Sequence, residues 1–238
     1  ELRFNRITSL AQASRFAEAV PEALDLAAAH PDVLRFQFKA AQVRLMAGDL
    51  DGAEQSLDAA EKLSGICETT RRMRASLQSL RGDPAGALAQ LEQLAVSHPS
   101  ALEQTGRVLL QLRRWREAED CFRRALAIEP ESPGVLTGLA GSLVRQDQDD
   151  EALEAALSAL ELQYFHAAGH FQLGAIQAKG MAFERAIQSF ETGLTMQPGH
   201  VLAHRYLARL YERTGQTDRS AVHRQVAVHL SGQGKKRK

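Results

Sequence analysis

The stretch Phe171–Pro198 reads FQLGAIQAKGMAFERAIQSFETGLTMQP, and its pattern decides the fold. Apolar residues recur in it every three or four positions, which is the spacing of one face of an α-helix. Gly174 and Ala186 put small side chains where two helices can cross, and Pro198 ends the second helix. The stretch therefore predicts two short helices joined by a turn, and it contains no catalytic motif.

The same pattern repeats along the chain. Counted in both directions from Ala186, a small residue recurs at a constant spacing, except for one shorter step between Ala87 and Ala118. Twelve residues after these positions the chain carries Pro or Gly, which break helices, with Tyr164 as the exception. The runs of β-branched residues that a strand needs are missing. We therefore expect seven helix–turn–helix repeats and no strand.

This period and residue pattern resemble the tetratricopeptide repeat, a helix–turn–helix unit of about 34 residues. The resemblance is strongest at Leu173, Gly174, Ala186, Phe190 and Pro198, and it extends over nearly the whole chain. It implies an all-α fold, a right-handed superhelical solenoid of antiparallel helix pairs. The resemblance places the repeats in a single solenoid over residues 1–231, and the glycines and the charge run after it predict a disordered basic tail at 232–238. The repeats are predicted at 1–33, 34–67, 68–98, 99–132, 133–166, 167–200 and 201–231.

Charge and composition narrow the classes of partner. The chain of 238 residues has 29 Lys plus Arg and 29 Asp plus Glu, so its formal net charge is zero and no overall field draws it onto nucleic acid. It has no apolar run of about 18 residues that would span a membrane. Cys67 and Cys121 lack the spacing of a zinc site or a disulfide framework, which predicts two buried thiols. The basic end Lys235–Lys238 fits either a solubilising terminus or a nuclear-targeting or nucleic-acid patch.

Candidate chemical groups are few. The motifs of metalloproteases, serine hydrolases and nucleotide-binding loops are missing from the sequence. His166 with His170, and His200 with His204, have the i, i+4 spacing of a helical metal site, but no third or fourth ligand accompanies either pair. The alternative interpretation is a solvated or hydrogen-bonded histidine at a turn. We therefore predict a non-enzymatic protein with no catalytic residue, no metal ion and no cofactor.

The family resemblance implies a binding surface. Proteins of this family usually hold ligands along a concave groove that the first helix of each repeat lines. Arginine side chains in such a groove suit carboxylates, and phenylalanine offers apolar contact area, so the expected partner is a protein or peptide with acidic and apolar side chains. The alternative is that scattered arginines only solvate the helix surface. The predicted groove residues are Arg35, Phe38, Gln42, Arg72, Glu103, Arg107, Phe171, Arg205 and Arg209.

Two functions follow as hypotheses. The first is a non-enzymatic protein–protein interaction module that binds a peptide segment or a partner domain in its groove. The second is the accessory repeat domain of a larger enzyme, because the last repeats look like tracts that accompany sulfotransferase or phosphodiesterase domains in bacterial proteins. The chain begins at Glu1 rather than Met, so we expect a processed protein or a fragment.

Overall fold

The computed structural model describes residues 1–13, 15–92, 94 and 98–235, with side chains described as far as residue 232. Within these ranges every regular element is an α-helix, and the predicted all-α fold is confirmed. The helices are α1 (Leu2–Gln12), α2 (Phe16–Ala29), α3 (Leu34–Ala47), α4 (Leu50–Ser64), α5 (Glu68–Leu80), α6 (Pro84–Glu92), α7 (Pro99–Gln111), α8 (Trp115–Ile128), α9 (Pro133–Val144), α10 (Asp149–Leu162), α11 (Ala167–Lys179), α12 (Phe183–Met196), α13 (Val201–Arg213) and α14 (Thr217–Lys235).

Consecutive helices form pairs, from α1 with α2 to α13 with α14, and one pair lies in each predicted repeat. The last helix differs from the prediction, because α14 continues to Lys235, beyond the predicted boundary at residue 231. A glycine inside a helix costs about 1 kcal/mol without necessarily ending it, and the prediction gave Gly232 too much weight as a helix breaker. The predicted disordered tail therefore overlaps this helix, and its residues 236–238 lie outside the described residues.

The chain divides into two compact parts, which we call the N-terminal body (residues 1–128) and the C-terminal body (residues 129–238). In the N-terminal body, Phe122 is fully buried against Gly106, where an added Cβ atom would lie 2.8 Å from the ring. In the C-terminal body, Phe190 packs against Gly174 in the same way, with 2.9 Å to the ring. The small residues Gly106 and Gly174 therefore let the two helices of these pairs approach closely, as predicted. The single continuous solenoid stays a prediction.

The turns inside the helix pairs share one backbone feature. A residue with positive φ ends the first helix of six pairs, and these residues lie in one phase of the repeat. Three are glycines, for which this conformation carries no steric cost. The other three have side chains, and their φ angles lie between 59° and 61°. The six residues are Gly48, Gly82, Arg113, Asp147, Met181 and Gly215.

Both cysteines are free thiols. Cys121 is buried, as predicted, but Cys67 is only half-buried because it occupies the position that caps the start of α5.

Candidate partner-binding groove

The N-terminal body carries an open groove of about 800 Å³. Residues of α3, α5 and α7, the first helices of three consecutive repeats, line it, and Phe4 of α1 closes one end. The groove therefore lies on the helices that the family resemblance implied. Five of the nine predicted residues line it, namely Arg35, Phe38, Gln42, Arg72 and Arg107.

The sequence of α3 divides its side chains between the core and the groove. Phe36, Ala40 and Val43 are buried in the core of the first repeats. The groove residues of α3 recur at the helical spacing of three or four residues on another face of the same helix. They are Arg35, Phe38, Lys39, Gln42 and Met46.

Positive charge dominates the groove. None of the described residues that line it is Asp or Glu. The guanidinium of Arg35 lies 4.0 Å from Glu1, and that of Arg72 lies 3.9 Å from Glu68, so both contacts are at the long limit of an ion pair. The exposed pair of Arg35 contributes little to stability, and the Nε atom of Arg72 makes no hydrogen bond, so both cations can accept a better partner. The cationic lining residues are Arg35, Lys39, Arg72 and Arg107.

Lys39 has an aromatic neighbour in place of a carboxylate. Its Nζ atom lies 4.7 Å from the ring centroid of Phe4 and donates a hydrogen bond of 3.0 Å to Oε1 of Gln42. Burial lowers the pKa of Lys39 because it disfavours the charged ammonium. A carboxylate bound beside Lys39 would offset this cost. Lys39 and Phe4 were not predicted as site residues, although Phe4 precedes Phe38 by one full repeat.

Arg72 is held in place by α7. One of its terminal nitrogens donates to the hydroxyl of Ser100, and its main-chain oxygen accepts from Nε2 of Gln104. These contacts join α5 to α7 and fix the direction of the guanidinium before any partner binds, which reduces the entropy that binding would cost.

Glu103 does not itself line the groove, although it was predicted as a site residue. Its carboxylate accepts a hydrogen bond of 2.6 Å from Arg107, four residues later on α7. The pair neutralises the charge of Arg107. Arg35, Lys39 and Arg72 are therefore the cations of the groove that no close carboxylate compensates.

One edge of the groove is apolar, and the prediction missed it. Met46 and Leu80 have 47% and 53% of their surface exposed, although both are large and hydrophobic. They hold equivalent positions near the ends of α3 and α5, and Leu45 and Val108 lie beside them. The signal in the sequence was an apolar residue next to a turn, where a polar one is usual.

Phe171 is a correction to the predicted site. Its side chain is only 8% exposed and belongs to the core of the C-terminal body. Its ring stacks on His200 at 4.1 Å between centroids. Gly193 of α12 makes this possible, because a Cβ atom added there would lie 2.6 Å from Cδ1 of Phe171. Phe171 therefore stabilises the core and does not line a groove.

Arg205 and Arg209 are exposed and line a separate hollow of about 550 Å³ in the C-terminal body, between α13 and α14. This hollow also contains Glu212, which pairs with Arg224 at 3.1 Å. Its charge is therefore partly compensated, and a role of Arg205 and Arg209 in binding stays a prediction.

The paired histidines have structural contacts. Nε2 of His170 donates to the main-chain oxygen of Tyr164 at 2.9 Å, and Nε2 of His204 donates to that of Pro198 at 2.8 Å. These two contacts are one repeat apart, so they bear out the hydrogen-bonded interpretation. The Nδ1 atoms of His204 and His223 lie 2.9 Å apart and join α13 to α14. No cluster of three or more possible metal ligands occurs among the residues that the structure describes.

The helices of the described residues are short or polar. None of them combines the length and hydrophobicity that crossing a bilayer requires.

Comparison with known proteins gives a family match. The sequence model of the family described as tetratricopeptide repeat matches residues 4–65, 73–133, 103–169 and 182–223, which together cover most of the chain. No curated protein sequence matches significantly. The family match supports a scaffold for protein–protein interactions.

Several solved structures have a similar fold. The APC/C hetero-tetramer Cut9–Hcn1 matches 95% of this chain at 16% identity and a TM-score of 0.76, while this chain spans only 45% of the matched chain. PilF from Pseudomonas aeruginosa matches 80% of this chain and 88% of its own at 15% identity and a TM-score of 0.60. MamA from Desulfovibrio magneticus RS-1 matches 68% of this chain and 94% of its own at 20% identity and a TM-score of 0.54. At identities this low the matches show the fold alone, and this fold is of the predicted class, all-α with tetratricopeptide-like helix pairs.

Proposed function

Because the chain belongs to the tetratricopeptide repeat family, we propose that the groove of the N-terminal body binds a segment of another protein that carries acidic and apolar side chains. Fold alone does not name a partner, so the proposal rests on the groove itself. The observation that carries it is a groove that combines weakly compensated cations with exposed apolar side chains and has no carboxylate among its described lining residues.

The cationic side chains of the groove would bind the acidic residues of the partner, and its exposed apolar side chains would contact the apolar ones. Arg72 presents a planar guanidinium with several N–H donors that match a carboxylate. Met46 and Leu80 are exposed. A partner that removes their apolar surface from water gains about 25 cal/mol of binding free energy for each Å² buried. The same binding activity would serve the chain alone or as the accessory repeat domain of a larger enzyme.

The test is a titration with fluorescein-labelled octapeptides of Glu and Leu, with Lys and Leu peptides for comparison. We expect the acidic peptides to bind, and salt to weaken the binding because it screens the charges. The variants Arg72→Glu and Lys39→Glu should each lower the affinity at least tenfold, while Arg116→Glu, on the exposed surface of α8, serves as the matched control. Equal affinity of Arg72→Glu and Arg116→Glu, or a preference for the basic peptides, would overturn the proposal.

A further inference from the structure

We propose that the groove selects extended segments in which acidic and apolar residues alternate. This inference rests on the proposed function and adds to it the order of residues in the partner. It follows from the way in which the groove separates its cationic and apolar side chains.

The separation runs along the axes of the groove helices. Arg35, Lys39 and Arg72 lie in the first halves of α3 and α5, whereas Met46 and Leu80 lie at the ends of the same helices. At a rise of about 1.5 Å per residue, residues of the two edges are about 9 to 16 Å apart along the helix axes. The groove therefore has a cationic edge (Arg35, Lys39, Arg72) and an apolar edge (Leu45, Met46, Leu80).

Uncharged polar side chains lie between the two edges. Gln42 accepts from Lys39 through Oε1, which leaves its amide nitrogen as a donor for a partner. The hydroxyl oxygen of Ser76 accepts from Nε2 of Gln104 at 2.6 Å, which leaves its hydrogen as a second donor. We call Gln42 and Ser76 the polar midline, and Gln104 of α7 supports it through its hydrogen bond to Ser76. Arg107 holds the repeat position of Gln42 and Ser76, but Glu103 neutralises it.

A polar midline suits the main chain of an extended segment. An extended chain leaves its carbonyl and amide groups without internal partners, whereas a helix bonds its own. The side chains of an extended segment point alternately to opposite sides. A segment that follows the midline across α3, α5 and α7 therefore directs every second side chain to the cationic edge and the others to the apolar edge.

The length of the segment follows from the spacing of the helices. Three helix axes that are about 8 to 10 Å apart span roughly 20 Å. An extended chain covers this distance with about six residues at about 3.3 Å each. Three acidic and three apolar positions are therefore enough to occupy the groove, and octapeptides are long enough as probes.

The experiment compares three octapeptides of identical composition, four Glu and four Leu, by fluorescence anisotropy. In the first the two residue types alternate, in the second they are spaced to form the two faces of a helix, and in the third they form two blocks. We expect the alternating peptide to bind at least tenfold more tightly than the other two. Tighter binding of the helical peptide, or equal binding of all three, would overturn the inference but leave the proposed function standing. If none binds, the proposed function itself fails.

A second measurement tests which side chains of the peptide each edge of the groove contacts. Leu80→Ala should weaken the binding of the alternating peptide. It should not change the binding of a variant peptide whose leucines are replaced by serine. Arg72→Gln should weaken the binding of both peptides, because both retain the carboxylates that Arg72 would bind. If Leu80→Ala weakens the binding of both peptides equally, the apolar edge does not contact the leucines of the peptide, and the assignment is wrong. Circular dichroism of each variant checks that its helices are intact.

Discussion

Phe38 in the N-terminal body and Phe171 in the C-terminal body hold the same position of their repeats, yet Phe38 lines the groove and Phe171 is buried. The helix that pairs with each of them explains the difference. At the position facing the ring, α12 has Gly193, and the equivalent residue of α4 is Ala60, which is fully buried. The absence of a methyl group at Gly193 thus lets the ring of Phe171 enter the core.

The same contrast extends to the other groove positions. In two of the three repeats of the C-terminal body, Gly141 and Ala175 occupy the position of Gln42, and their small side chains offer a partner little to contact, while the third repeat has Arg209 there. The C-terminal body follows the repeat pattern more closely, and its repeat residues Phe171 and Phe190 pack in the core. The N-terminal body departs from the pattern, and its departures supply the charged and apolar side chains of the groove.

Alanine substitution of the two phenylalanines tests this contrast with the largest expected effect. Phe171→Ala should lower the free energy of unfolding by about 3 to 5 kcal/mol, because it leaves a cavity in a packed core. Phe38→Ala, the matched control, should cost less than about 1 kcal/mol, because its side chain is only half-buried. Urea titrations followed by circular dichroism measure both values. Losses of similar size in the two variants would show that the positions do not differ in this way.

The next prediction concerns the glycine that admits the ring. An exposed Gly→Ala substitution inside a helix usually stabilises it by about 0.5 to 1 kcal/mol. Gly193→Ala should instead destabilise the protein by about 1 to 3 kcal/mol, because the added Cβ atom overlaps Phe171. Combining it with Phe171→Ala should remove most of this loss. A stabilising effect of Gly193→Ala alone would rule out this explanation for the burial of Phe171.

The fold was predictable because its signals are local. Helical spacing, the small residues at Gly174 and Ala186 and the breaker at Pro198 all lie within one repeat. The burial of Phe171 was not predictable from its position, since it depends on Gly193 in the next helix. The cationic groove residues followed from the family's geometry, but the apolar edge at Met46 and Leu80 required knowing which side chains the neighbouring helices leave uncovered.

Two histidines of the C-terminal body should make its stability depend on pH. Burial, and then the neighbouring His204, lower the pKa of His200 and of His223. Glu191 of α12 acts in the opposite direction on the pKa of His223, and Arg219 adds to the lowering. The 2.9 Å contact between Nδ1 of His204 and Nδ1 of His223 allows a proton on only one of the two atoms. The lowered pKa values mean that the folded state disfavours protonation of His200 and of His223.

Because the folded state binds fewer protons than the unfolded state below the ordinary histidine pKa of about 6.5, the free energy of unfolding should fall as the pH drops from about 7 to 5. His223→Gln keeps a polar side chain but cannot titrate, so it should make this decrease shallower. Urea midpoints at several pH values measure the slope, with His229→Gln, at an exposed position of α14, as the control. An unchanged slope in His223→Gln would exclude His223 as a source.

The smallest effect is expected at the turn residue Met181, which has φ of 61° and holds the repeat position of Gly215 and Gly48. A side chain in this conformation costs about 1 kcal/mol, whereas glycine raises the entropy of the unfolded chain by a similar or smaller amount. Met181→Gly should therefore stabilise the protein by up to about 1 kcal/mol, and the reverse substitution Gly215→Met should destabilise it by about that much. Urea titrations of the two variants compare them directly. If both substitutions shift stability in the same direction, backbone strain does not separate these turns, and the surroundings of the Met181 side chain, which lines a small hollow with Phe183, must account for the difference.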